Sequence, residues 1–524
     1  MPLSTLFPFS HSFARDLPDC GVPWQIRVPS APCWFKLNMA LAQDLGLKPA
    51  DLARLEGDEG LALFSGQGPS TEGRIQNGHP YPFAQAYAGH QFGHFSPSLG
   101  DGRAVLLGEM LDRQGHLQDI ALKGSGATPF SRNGDGLAAL GPMLREYLVS
   151  EAMSALGVPS TRTLGVYTTG EAIRREGRQR GAVLVRVAHS HLRVGTFEYF
   201  SARQDLPQLS RLLRYSLRRH VPGFEGLPLQ VGPKSTRTTR SEDADLALQL
   251  LQHVVRGQAR LIAQWMGLGF IHGVMNTDNM TISGQTIDYG PCAFMEAHDP
   301  DTVFSSIDRQ GRYAYGRQPL IAQWNVARLA ESLLPLMQQT WPQKRALQAA
   351  SDKVQDFSAH YQTQWQAVMR QKFGVDETQH VLVQPFLQWL HHDQLDHTLA
   401  FRRLSDWAQA LLQSPAAPPS DFWPDADTAP DLWAWLQNWR AVFLANENRQ
   451  DLSERMQGVN PLYIPRNHLV EEALHAAEYE NDLQALERLL DACTAPYTER
   501  AEFSTLAQPA SPEQRQGYQT FCGT

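Results

Sequence analysis

The chain has 524 residues, enough for two to four structural units, and its 42% hydrophobic and 19% charged residues are the balance of a globular protein with sizeable cores. Forty-six basic against 54 acidic residues give a net charge of -8, which offers nucleic acid or an anionic membrane no general attraction. No run reaches the roughly 18 apolar residues of a membrane span, no secretory signal is expected at the start, and five cysteines without CxxC spacing make no disulfide framework, so a reducing, cytoplasmic setting is expected; the sequence leaves the oligomeric state open, with a monomer favoured.

Residues 1 to 80 read as a loop-rich extension with one helix around Leu37 to Leu45. Two strand-like runs, Arg103 to Met110 and Leu117 to Lys123, are separated by Asp112-Arg113-Gln114-Gly115 and read as a hairpin. Gly136 to Leu156 carries Leu140, Leu144 and Leu148 at helical spacing and is closed by Gly157 and Pro159. Further strand pieces follow at Arg162 to Tyr167 and Gly181 to Ala188. From about 205 the pattern turns helical, through Leu206 to His220, Leu246 to Met266, Pro319 to Gln338 and much of 345 to 490. Ile271 to Tyr289 interrupts it as a β-type segment, and the Pro-rich stretch 414 to 430 reads as a linker or surface loop. The expected fold is α/β (α+β): a two-lobed protein-kinase-like arrangement with an N-terminal extension and a mainly helical C-terminal one. Its expected segments are 1–80, an N-lobe over 81–204, a C-lobe over 205–375 and a helical region over 376–524 that ends in a Cys-containing tail.

Kinase-like transferases carry H-x-D-x-x-x-x-N followed by D-F-G or a variant. The interruption HGVMNTDNMTISGQTIDYGP aligns His272 with that His, Asn279 with the metal-binding Asn and Asp288-Tyr289-Gly290 with D-F-G. Both Asn279 and Asp288 offer the oxygen ligands that Mg²⁺ on phosphates requires. Val274 then stands where the catalytic Asp belongs, and valine can neither accept a proton nor orient a hydroxyl. Asp278 is the carboxylate within the loop that can substitute as base; against this, Asp/Asn-rich turns between apolar strands are common.

Lys123 ends an apolar strand, and the following helix carries Glu146 and Glu151. A strand Lys paired with a helix Glu fixes the lysine on nucleotide phosphates in kinase folds, and Glu146 is the preferred partner; a solvated strand-end lysine is the plainer alternative. Leu99-Gly100-Asp101-Gly102-Arg103 combines glycines that let backbone approach a phosphate with a fixed charge. A tight turn is the plainer alternative for that piece; Gly124, Gly126, Gly134, Asp135 and Gly136 flank Lys123 and the helix start, where backbone amides can also cradle phosphate. Arg186 lies inside a strand of Val, Leu and Ala, where a guanidinium must meet an anion or a structural carboxylate; with Arg193 it completes the basic set. His391, His392 and His397 fit no zinc spacing and read as a solvated helix start, and His90 with His94 reads as a structural turn.

Taken together, YAGHQFGHFSPSLGDGRA, LKGSGATPFSRNGDGLAALGPMLREYLVSEAM, VRVAHSHLRVGTFEYF, HGVMNTDNMTISGQTIDYGPCAFM, GRYAYGRQP and NPLYIPRNHLVEEAL resemble the selenoprotein O (YdiU-type) family, in order and over nearly the whole chain. The resemblance implies a pseudokinase fold that binds ATP in reverse orientation and transfers AMP to protein hydroxyls. It implies ATP contacts from Gly100, Gly102, Arg103, Lys123, Asp135, Gly136, Arg186, Arg193 and Asp288, with Glu146 pairing Lys123. Asp278 becomes the proton acceptor, and Asn279 with Asp288 the ligands of Mg²⁺ or Mn²⁺. It also implies redox control through a Cys292–Cys522 disulfide. The implied partners are ATP and protein substrates. A γ-phosphate-transferring kinase, a UMP transferase and a non-catalytic nucleotide-binding scaffold are the competing readings.

Overall fold

The computed structural model describes residues 6–67, 82–175, 177–229, 237–376, 381–423 and 430–521. The protein is mixed α/β. Its principal sheet is antiparallel and takes the order β1-β3-β6-β7-β10-β9-β2, with β8 on β10. These strands are β1 (Gly21–Pro23), β2 (Cys33–Leu37), β3 (Phe83–Gln85), β6 (Ala104–Leu111), β7 (Leu117–Lys123), β8 (Ala138–Ala139), β9 (Arg162–Arg174) and β10 (Arg178–Ala188). Two small two-stranded sheets complete the described strands: β4 (Gly89–Gln91) with β5 (His94–Ser96), and β11 (Phe270–Ile271) with β12 (Ala293–Phe294).

The expected hairpin is β6–β7, closed by a turn in which His116 accepts from Asp112 N–H at 2.9 Å and Gly115 takes φ +81°. Strand parity places the functional side chains. Val183, Val185 and Val187 of β10 and Ile120 and Leu122 of β7 enter the core shared with Leu41, Leu45 and Phe64 of the N-terminal segment. Ala182 and Leu184 enter the opposite core, against Leu140, Leu144 and Leu148 of the Leu140–Ala155 helix. Alternation therefore puts Lys123 and Arg186 on the helix face, with Leu184 opposite Lys123 and Arg186 opposite Ala121 in the register.

Three long helices, Arg237–Leu268, Gln318–Met337 and Gln343–Phe373, form a third core. The C-terminal helices build a fourth around Phe386, Phe401, Trp407 and Trp439. The start expected at Gly136 is shifted: Ala138 and Ala139 pair with β10 before the helix begins at Leu140. Ile271–Tyr289 is mostly irregular: it holds the end of β11, a short 3₁₀ turn, Thr277–Asn279, and single β-bridges from Thr281 to Arg193 and from Thr286 to Ser160. Of the expected linker, Pro419–Asp421 forms a 3₁₀ turn and residues 424–429 lie outside the described set. Among the described residues no helix is long and apolar enough to cross a membrane.

Candidate active site

A cleft of about 490 Å³ opens between the sheet and the 274–291 segment, within the range of small-molecule sites. Every residue expected to contact ATP lines it: Gly100, Gly102, Arg103, Lys123, Asp135, Gly136, Arg186, Arg193 and Asp288. Val274, Asp278 and Asn279 line it as well.

At its deep end lies a buried ion cluster. Lys123 Nζ donates to Glu146 Oε2 at 2.6 Å and to Asp288 Oδ1 at 2.8 Å. Arg186 Nε donates to Glu146 Oε1 at 2.8 Å, and its terminal nitrogen donates to Asp288 Oδ1 at 2.6 Å. Arg193 stands 3.6 Å from Asp288 Oδ2 and 3.4 Å from Asp101 Oδ1, with its guanidinium 4.4 Å over the Tyr87 ring. Burial would raise the Glu146 carboxyl, but Arg186 and Lys123 hold it below its ordinary value. Burial acts on Asp288 likewise, and Arg186, Lys123 and Arg193 outweigh it, holding that carboxyl well below the usual range. Glu151, the alternative partner considered for Lys123, instead pairs with Arg162 at 2.8 Å.

The glycine segments fold over the cleft as one unit. Thr128 Oγ1 donates to the Asp101 carbonyl at 2.6 Å, Ser131 Oγ donates to the Gly102 carbonyl, and Gly126 N–H donates to the Gly136 carbonyl at 3.1 Å. Gly136 has φ +67°, and a Cβ there would overlap the backbone of Gly126. Asp135 sits at the mouth in an ion pair with Arg175 at 2.9 Å.

Asp278 lies on the 3₁₀ turn at the cleft floor. Its Oδ2 accepts from Gln91 Nε2 at 3.4 Å, while Oδ1 is buried and has no hydrogen-bond partner among the described residues. Burial pushes this carboxyl up to about 6. The turn is held by Glu198, whose Oε2 accepts from Thr277 Oγ1 at 2.6 Å and whose other oxygen meets His90 Nδ1. Asn279 Nδ2 donates to the Val274 carbonyl at 2.9 Å, which leaves its amide oxygen for another partner. The Asn279 amide oxygen and Asp288 Oδ2 are hard oxygen donors, a pair that suits Mg²⁺ or Mn²⁺ with phosphate oxygens completing the shell. Among the described residues no cluster of three His, Cys, Asp or Glu side chains is arranged to hold an ion by itself.

His272 stays out of the cleft: it is buried, and its Nε2 lies 2.9 Å from the Ile287 carbonyl. Cys292 is buried, with burial pushing its thiol up to about 12; its expected partner Cys522 lies outside the described residues. His90 and His94 belong to the β4–β5 hairpin. His391 and His392 are solvent-facing, but His397 is not: it is 1% exposed and stacks on His298 with ring centroids 5.1 Å apart, so the solvated start expected there is corrected. Sequence reasoning missed Asp101, Gln91, Tyr87, Glu198 and Arg175. The one local signal was Asp101, set between Gly100 and Gly102.

A family profile described as Protein adenylyltransferase SelO matches residues 24–494. Protein nucleotidyltransferase YdiU of Cereibacter sphaeroides strain KD131 is 48% identical, over 99% of this chain and 100% of that protein. The protein of the same name from Chromobacterium violaceum is 49% identical over 97% and 100% of the two chains, and that from Mycolicibacterium paratuberculosis 50% over 98% and 97%. The chain belongs to the SelO family and is a nucleotidyltransferase.

Proposed function

We propose that the protein transfers AMP from ATP to Ser, Thr or Tyr hydroxyls of protein substrates, within a two-lobed kinase-like arrangement whose cleft separates the sheet from the helical part. The observation that carries this reading is the opposition of two chemistries in one cleft. Three buried cations, Lys123, Arg186 and Arg193, converge at the deep end, while the Asp278 carboxylate, with its unpartnered oxygen, lies on the floor.

The deep cations suit the terminal phosphates of a triphosphate. That orientation leaves the α-phosphorus nearer the floor. The acceptor oxygen bonds to the α-phosphorus as the bond to the bridging oxygen breaks; Asp278 Oδ1 takes the hydroxyl proton and pyrophosphate leaves with the electron pair. Lys123 and Arg186 are pre-aimed by Glu146, so little reorganisation accompanies the charge shift. Asn279 and Asp288 would hold Mg²⁺ or Mn²⁺, which supplies neutralisation of phosphate charge when bound. The backbone of 100–103 and 124–136 would cradle the remainder of the nucleotide, with Arg103 and Asp135 at its edges.

A γ-phosphate transfer is disfavoured by Val274, an apolar side chain where a kinase base belongs. UMP transfer uses the same phosphate chemistry and differs only in the base accepted. Incubation with α-labelled and, separately, γ-labelled ATP separates the readings: protein label from the α position alone is expected, and label from γ alone overturns the proposal. We also propose reversible Cys292–Cys522 disulfide formation. Its support is that Thr520 Oγ1 donates to the Pro291 carbonyl at 2.7 Å, next to Cys292 in sequence. Two free thiols by mass mapping under oxidising conditions would contradict it.

A further inference from the structure

A second cavity, of about 150 Å³, lies beside the cleft. Its walls come from the 296–304 segment, Gln394, the start of the Asn467–His475 helix and residues 510–518. Glu296 lines it with a side chain 4% exposed. Its Oε2 accepts from Ala510 N–H at 2.9 Å, but Oε1 is buried without a hydrogen-bond partner among the described residues. The nitrogens of Arg466 and His468 stand 3.7 Å from that oxygen, within ion-pair range, so Arg466 balances part of its charge, but beyond hydrogen-bond range. Arg466 is already committed to Asp396 at 2.8 Å and to the Ala507 carbonyl at 3.0 Å.

The rest of the lining narrows the chemistry. Asp299 adds a second carboxylate, 37% exposed. Phe304 packs edge-on against Tyr518, ring centroids 5.8 Å apart, and gives an apolar wall. Arg515 lines the cavity with its Nε unpartnered, a donor for a carbonyl or carboxylate. The volume is that of about five waters, room for a seven-atom basic side chain. A buried carboxylate with one oxygen free of any hydrogen-bond donor, a second carboxylate and an aromatic wall together suit a cation on an apolar stem.

The geometry points to a binding site for the guanidinium or ammonium of a basic amino acid, with the cation on Glu296 and Asp299, the stem on Phe304, and a carbonyl or carboxylate on Arg515. Phe304 on this cavity and Ile307 on the cleft are three residues apart, a reach of at most about 11 Å. A basic side chain of an acceptor protein could thus dock here while its hydroxyl occupies the cleft. That consequence rests on the proposed protein-directed transfer; the site itself does not.

Calorimetric titration of the full chain tests it without any activity measurement. The probes are N-acetyl-arginine methylamide, free L-arginine and the neutral isostere N-acetyl-citrulline methylamide. Saturable binding of an arginine probe is expected, at least tenfold tighter than the citrulline probe. Glu296→Gln and the rim variant Asp299→Asn should each weaken it at least tenfold while ATP binding stays unchanged. Tighter binding of the blocked probe identifies a polypeptide side chain, tighter binding of free arginine a free amino acid, and equal binding recognition of the side chain alone. Absence of arginine binding, equal binding of citrulline, or unchanged binding in Asp299→Asn overturns the inference.

Discussion

Replacing Glu146 by Gln keeps the shape of a buried side chain and removes its charge. Glu146 is 2% exposed and accepts from Lys123 at 2.6 Å and Arg186 at 2.8 Å, so the change leaves two buried cations short of one counter-charge. Stripping one partner from a buried pair costs about 3–5 kcal/mol. Asp288 Oδ1 still meets both cations, at 2.8 and 2.6 Å, which places the loss near about 3 kcal/mol. Urea unfolding followed by a sheet-sensitive signal reads this deficit. The same cations are proposed to face the triphosphate, so saturating ATP restores the missing negative charge. The deficit of the variant should therefore shrink by about 1–2 kcal/mol with ATP present, a charge-assisted contact regained. A deficit of equal size with and without ATP would refute the placement of the phosphates on Lys123 and Arg186.

Asp278→Asn should abolish transfer, and the wild-type rate should fall as pH drops through about 6, because a protonated Asp278 is no base. Its raised pKa gives the opposite sign for stability: the proton-bound form is favoured on folding, so this contribution is present at low pH and lost as pH rises through about 6. Measured with chelator, Asp278→Asn should therefore be more stable than wild type at pH 8, by about 1–2 kcal/mol after allowing for contact with solvent; equal stability at that pH would contradict the burial argument. Gly136→Ala combines φ +67° with overlap on the Gly126 backbone and should cost about 1–3 kcal/mol and raise the KM for ATP, whereas a silent substitution would show that the loop does not touch nucleotide. Val274→Asp should not create γ-phosphate transfer; γ-label on protein from that variant would restore the kinase reading.

Much of the site was legible because its parts are local. Lys123 ends an apolar strand, Glu146 follows on the next helix, and Asn279 and Asp288 share one short segment, so spacing and residue type suffice. Arg186 was legible through incongruity, a guanidinium in a Val-rich strand. Gln91 was not: its hydrogen bond to Asp278 spans 187 residues. Asp101 reaches Arg193 across 92 residues, and Glu198 reaches Thr277 across 79, distances over which no periodicity carries information. The β-type reading of 271–289 holds only for Ile271 in β11 and for the bridges of Thr281 and Thr286; around Asn276 the backbone makes no ladder. Side chains take the place of a ladder: Asn276 Oδ1 accepts from Phe92 N–H at 3.0 Å and from Tyr313 OH at 2.6 Å. His397 looked solvated beside two exposed histidines, yet its ring is covered by His298, 99 residues earlier in the chain.

The central claim is that the bond broken lies at the α-phosphorus. Phosphorus NMR of the products formed with an acceptor protein reads this directly. One pyrophosphate released per acceptor modified, with no ADP, is the expected result, and Asp278→Ala should release neither. ADP formed in step with modification would contradict the account.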